Sequence, residues 1–216
     1  MSDLYETVVI PGRADDPRTL LMLHGTGGDA ESFAGLARVL SPGTHAIAFQ
    51  GDVLENGMPR FFRRLREGVY DMDDLARATG KLENAVAEAL AGAGRDPAQA
   101  ILVGFSNGAN LIASLLLAEP KAVPRAVLMH PLIPFEIKAE VPLGADVLVT
   151  AGRRDPIVPW PMIVRLVEDL RQAGASVDLY DRDGGHEVSE AEIAAIRDWL
   201  RRRPLVDRPS GQVVNS

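Results

Sequence analysis

The amino-acid sequence predicts an α/β fold, with a mainly parallel central sheet flanked by helices. Three observations point there: short apolar, branched-rich runs recur along the chain, segments of helical spacing separate them, and several runs are continuously apolar. Continuous apolar strands belong in parallel sheets, where helices cover both faces. At 216 residues the chain suffices for one well-buried core and is short for two, so residues 1–203 are expected to form a single domain.

Taken in order, strands are expected over Leu4 to Ile10 and Thr19 to Leu23, and a glycine-rich turn then leads into a helix from Asp29 to Leu40. A strand from His45 to Phe49 follows. The connection Gln50 to Tyr70 reads as a long loop, in which Met58, Phe61 and Phe62 interleave with Arg60, Arg63, Arg64 and Arg66. Between Asp71 and Ala91, Leu75, Ala78, Leu82, Ala85 or Val86, and Ala89 share one face of a helix that Gly92 and Gly94 end. A strand Ala100 to Gly104, a helix Asn107 to Ala118 and a strand Ala126 to His130 come next. The second long connection, Pro131 to Gly144, carries Leu132, Ile133, Phe135 and Ile137. A strand Val147 to Ala151, a helix Pro161 to Ala173 with proline in its first turn, and a strand Val177 to Tyr180 complete the alternation. The last helix, Ser189 to Arg202, opens on a capping box of Ser189 and Glu192. The stretch 204–216, with two prolines and little apolar content, is expected to be a mobile tail.

Composition narrows the chemistry. A net charge of -7 argues against a basic surface for nucleic acid. The absence of cysteine excludes disulfides, thiolate metal sites and a cysteine nucleophile. No basic-then-apolar leader is visible and no apolar run reaches the ~20 residues that span a bilayer, so a cytoplasmic protein without membrane contact is expected.

Gly104-Phe105-Ser106-Asn107-Gly108 is the most informative stretch, because it joins an expected strand to an expected helix. That context makes it a nucleophile elbow, in which a strained turn lifts the serine hydroxyl above the sheet. A serine hydroxyl needs a base, and the base needs a carboxylate to orient it. Of the four histidines, His186 follows the serine in a loop after the last strand. Asp155 stands just beyond the strand Val147 to Ala151, at the carboxyl edge of the sheet. His130, at a strand end and ahead of the acid, is set aside. The predicted triad is therefore Ser106, Asp155 and His186.

An oxyanion hole requires two N–H donors. Asn107 supplies one, and Thr26 in His24-Gly25-Thr26-Gly27-Gly28 supplies the other, with His24 bracing that loop. The glycines lack the Lys-Ser/Thr ending of a P-loop, and no His-Glu-x-x-His spacing occurs. Catalysis is expected to need no cofactor and no metal. Met58, Arg60, Phe61, Phe62, Leu132, Ile133 and Phe135 are expected to line the substrate pocket, Arg60 against a substrate carboxylate. Residues 132–135 are also the expected place for any homodimer contact.

These motifs resemble the phospholipase/carboxylesterase family of α/β hydrolases, which includes acyl-protein thioesterases. The resemblance runs from about Thr19 to Leu200 and rests on the His24–Gly28 loop, the Ser106 elbow, Asp155-Pro156-Ile157-Val158-Pro159 and Gly185-His186. The stretch Glu55 to Arg64 is similar to a bacterial branch associated with methylhydroquinone response. The resemblance implies an α/β-hydrolase fold with little or no lid and a serine carboxylesterase acting on small, soluble acyl or aryl esters. Thr26 stands where the family usually has an apolar residue, and Asn107 where the thioesterases often have glutamine. The alternatives are a thioesterase, a dienelactone-hydrolase-like lactone hydrolase, and a non-catalytic ligand-binding protein of the same fold.

Overall fold

The computed structural model describes residues 4–120, 122–133, 135 and 142–202. The expected tail 204–216 and Ile137 lie outside them. The elements run β1 (Thr7–Ile10), β2 (Thr19–Leu23), α1 (Ala30–Leu40), β3 (His45–Phe49), β4 (Val53–Glu55), β5 (Met58–Arg60), β6 (Arg64–Arg66) and β7 (Val69–Tyr70). After them come α2 (Met72–Gly92), β8 (Ala100–Phe105), α3 (Asn107–Ala118), β9 (Arg125–Met129), β10 (Asp146–Gly152), α4 (Trp160–Gln172), β11 (Ser176–Arg182) and α5 (Glu190–Arg202).

Seven strands form one sheet in the order β1-β3-β2-β8-β9-β10-β11. Only β1 runs antiparallel; β3, β2, β8, β9, β10 and β11 pair in parallel. The pleat sends alternate residues of each apolar run to opposite faces. Leu21, Leu23, Leu102, Leu128, Val147 and Val149 pack with α2, α3 and α4 on one face. Leu20, Met22, Ile101, Val103, Val127 and Leu148 pack with α1 and α5 on the other. Continuous hydrophobicity in these strands is thus two half-buried patterns superposed.

Helix boundaries follow their caps. Asp29 is the N-cap of α1, its carboxylate accepting from the Ser32 amide at 2.7 Å, so the helix begins one residue later than its polar start. Asp71 caps α2 in the same way through the Asp74 amide. The capping box of α5 is only half formed. Glu192 donates its amide to Ser189 Oγ at 3.2 Å, but its carboxylate turns inward to Thr150 and His130 instead of back to the cap.

The connection 50–70 departs most from expectation, folding into two antiparallel hairpins, β4-β5 and β6-β7. The first turns at Asn56-Gly57, whose φ values of 52° and 80° are those of a two-residue turn with both residues left-handed. Asn-Gly is the strongest short-range hairpin signal. It was obscured because the strands it joins are three residues long and carry no apolar alternation.

The hairpins also redirect the aromatics. Phe61 and Phe62 are fully buried and belong to the core below α2, correcting the expectation that they face substrate. Phe61 lies 5.4 Å from the Tyr5 ring and 4.7 Å from the His24 ring, and Phe62 lies 5.0 Å from Tyr70. Burying two such rings against other rings is favoured over leaving them beside water.

Candidate active site

Ser106 sits between the end of β8 and the first turn of α3 with φ 48° and ψ -112°, outside the regions open to ordinary L-residues. Two close approaches make the turn possible. A Cβ on Gly108 would lie 2.4 Å from the Leu23 carbonyl oxygen, and one on Gly104 would lie 2.6 Å from Ile112 Cδ1 and 2.7 Å from the Ala109 nitrogen. Only glycine fits both places. Although Ser106 occupies the N-cap position, its hydroxyl caps nothing; it is left for His186, whose Nε2 stands 3.0 Å away.

The acid and the base arrive from adjacent parallel strands. β10 leads to Asp155 and β11 to His186, and the two loops are tied together by Arg153 N–H to the Arg182 carbonyl and Arg154 N–H to the Gly184 carbonyl. His186 Nδ1 lies 2.6 Å from Asp155 Oδ2. The other oxygen, Oδ1, accepts from the amides of Ile157 and Val158 at 2.8 and 3.0 Å. Burial works against ionising Asp155, but hydrogen bonds from His130 and His186 and from those two amides outweigh it and hold its pKa below the ordinary value. An ionised Asp155 only accepts, so Nδ1 of His186 carries the proton and Nε2 presents a lone pair to the serine hydroxyl.

The structure therefore brings Ser106, Asp155 and His186 together at the carboxyl edge of the sheet. Thr26 and Asn107 line the same cavity of about 230 Å³. Asn107 is the first residue of α3, where an amide has no intrahelical acceptor, and the positive end of the helix points at the same place. The loop carrying Thr26 is fastened to β5 through Gly27 N–H and the Pro59 carbonyl. His24 is its brace: Nδ1 donates to the Gly25 carbonyl at 2.7 Å while Nε2 accepts from the Gly51 amide at 2.9 Å. Burial pushes its pKa down, consistent with a neutral ring between those partners.

Of the residues expected in the pocket, Arg60 and Leu132 line it. Arg60 is buried, with Nη1 donating to Thr26 Oγ1 at 2.8 Å and Glu55 at 3.0 Å and Nε donating to the Phe62 carbonyl at 3.2 Å. Met58 is exposed and packs beside Gly27, outside the cavity. Ile133 and Phe135 pack partly buried against the core. The places expected for them are filled by Phe105, Tyr70, Asn110, Arg64, Ile157 and Val158. Asn110 and Tyr70 fix the loop after β9, since Leu132 N–H donates to Asn110 Oδ1 and the Tyr70 hydroxyl donates to the Leu132 carbonyl.

One neighbour of the triad was set aside for its place at a strand end and its order ahead of the acid. His130, fully buried and with φ 49°, touches the second lone pair of Asp155 Oδ2 through Nδ1 at 3.0 Å and Glu192 through Nε2 at 3.3 Å. The signal that existed was Glu192, a carboxylate on the inward face of α5.

An elbow serine, a histidine and a carboxylate on successive strand ends of a mainly parallel sheet define the class: a hydrolase of the α/β-hydrolase fold. Comparison with known proteins narrows this. The phospholipase/carboxylesterase profile matches residues 5–203, and the chain belongs to that family. It is 39% identical over 202 residues to MhqD of Bacillus subtilis (strain 168), provisionally designated a hydrolase, covering 93% of this chain and 98% of the relative. The Bacillus cereus carboxylesterase superposes with a TM-score of 0.88 at 35% identity, over 93% of this chain and 95% of the other. A protein of unknown function from Agrobacterium tumefaciens str. C58 does so at 0.83 and 42%, over 91% and 96%. Among the described residues, no helix is long and apolar enough to cross a membrane.

Proposed function

We propose that this hydrolase is a serine carboxylesterase for small acyl or aryl esters, working through an acyl-enzyme on Ser106. The observation that carries the reading is the pair of hydrogen bonds through His186, 3.0 Å to Ser106 Oγ and 2.6 Å to Asp155 Oδ2. As Ser106 Oγ attacks the ester carbonyl carbon, His186 Nε2 takes the hydroxyl proton and Asp155 stabilises the resulting imidazolium. The amides of Thr26 and Asn107 donate to the carbonyl oxygen as it becomes negative. His186 then gives its proton to the leaving alkoxide, which departs as the alcohol. In the second half, His186 takes a proton from water, hydroxide adds to the acyl carbon, and the proton returns to Ser106 as the acid leaves.

A cavity of about 230 Å³ supports a short acyl or single-ring substrate over a long chain. Ser106→Ala is expected to lower kcat on p-nitrophenyl esters by roughly 10⁴- to 10⁶-fold and to abolish fluorophosphonate labelling. A folded Ser106→Ala protein that kept most of its activity would overturn the reading.

A further inference from the structure

Two carboxylates, not one, converge on the histidines behind Ser106, and the second is reached through His130. Its two ring nitrogens face Asp155 Oδ2 at 3.0 Å and Glu192 Oε2 at 3.3 Å. A neutral imidazole has one N–H, so one nitrogen would turn a lone pair toward an oxygen. Glu192 does not resolve this by holding a proton, because its oxygens accept from Thr150 Oγ1 at 2.6 Å and Arg182 Nε at 3.4 Å. The arrangement is satisfied when His130 carries both protons and both carboxylates are ionised.

We propose that His130 and Glu192 are positioning residues for the Ser106-His186-Asp155 reaction: a buried imidazolium, held by Glu192, shares Asp155 Oδ2 with His186 and tempers the hold of that carboxylate on the catalytic base. The inference rests on the proposed esterase reading. Asp155 Oδ2 receives two N–H donors, so its negative charge is divided between the rings, whose centroids are 5.3 Å apart. A positive charge at that distance disfavours a second one on His186. The pair thus limits how strongly Asp155 holds the N–H of the catalytic base.

Among the described residues, each cation near the two rings is paired with a carboxylate. Around His130 stand Asp155, Glu192 and His186, with the Phe105 ring 5.7 Å away. Behind Glu192, Arg182 pairs with Glu187 as well. His186 faces Asp155, His130, Ser106 and the Phe105 ring, while Arg60, Arg64 and Glu67 line the cavity it opens on, each guanidinium paired with Glu55. Burial opposes the charge on His130, but the bonds from Glu192 and Asp155 outweigh it and raise its pKa.

The test uses two variants and one measurement on the unaltered protein. Glu192→Gln removes the carboxylate with little change of shape, and His130→Asn keeps an N–H donor for Asp155 on a residue that tolerates positive φ. In both, the acid limb of the kcat/KM profile on a neutral p-nitrophenyl ester is expected to move up by about one pH unit, the scale of a screened unit charge at this separation. In both, fluorophosphonate labelling at high pH should persist. Labelling retained with an acid limb at the wild-type pH would overturn the positioning role while leaving the serine mechanism standing. Nitrogen-15 NMR of the wild-type side chains decides the charge independently of how the variants fold. Both nitrogens of His130 protonated at pH 7 is the expected result, and a neutral tautomer there would overturn the proposal.

Discussion

Asp155→Asn is the perturbation that strains the site's geometry most selectively. Oδ1 of Asp155 accepts from two backbone amides and Oδ2 lies against two imidazole Nδ1 atoms. The amide of asparagine must keep its oxygen toward the backbone amides, because an NH₂ there would face two donors. Its NH₂ then faces both rings. His186 meets that donor only by moving its own proton to Nε2, which points that N–H at Ser106 Oγ, 3.0 Å away, where a lone pair is required. The base is lost without losing the side chain's shape. By analogy with other serine hydrolases the expected fall in kcat/KM is about 10⁴-fold, or about 5 kcal/mol at about 1.4 kcal/mol per tenfold. Steady-state hydrolysis of p-nitrophenyl acetate, with circular dichroism to show the variant folded, measures it. A folded variant within tenfold of the wild type would refute the assignment of Asp155 as the orienting acid.

Other consequences are as direct. Phe62→Ala should act on stability, because the ring is fully buried beside Tyr70; the expected cost is about 3–5 kcal/mol, or roughly 6–20 °C in Tm for a chain of this size. An unchanged Tm with an altered acyl-chain preference would show instead that Phe62 meets substrate. Arg60→Ala is expected to slow neutral and acidic esters alike, by up to roughly 10²-fold, because its guanidinium braces Thr26 and the Phe62 carbonyl. A loss confined to acidic esters would make Arg60 a substrate-carboxylate contact. At low pH, Asp16 matters: burial opposes its charge, but hydrogen bonds from Arg18 and Thr44 bring its pKa down from 3.8 to about 2. A pKa lower in the folded state gives stability that is full above pH ~4 and lost as pH falls toward 2. Asp16→Asn should flatten the Tm profile across that window, and unaltered slopes would contradict it.

The alternation of strands and helices was legible because each element's pattern is local: apolar runs for β2, β8, β9 and β10, a 3.6-residue stripe for α2, Asp29 and Asp71 as caps. The elbow was legible for a related reason, since a serine between two glycines at a strand-to-helix junction is a backbone requirement written in adjacent residues. Asp155 and His186 followed from chain order and from where strand ends must lie. The 50–70 hairpins escaped because their strands are three residues or fewer and owe their order to long-range contacts: Phe61 N–H to Asn107 Oδ1, and the rings of Phe61 and Phe62 in the core. Which face an aromatic turns to is set by the twist of its hairpin, not by its neighbours in sequence. His130 escaped for the same reason in sharper form. Its role exists only where β9, the Asp155 loop and α5 meet, 25 and 62 residues from its partners. Local sequence thus determined the strands and helices of the main sheet and the serine elbow, and chain order pointed to Asp155 and His186, while close packing of distant segments decided the hairpins and what surrounds the site.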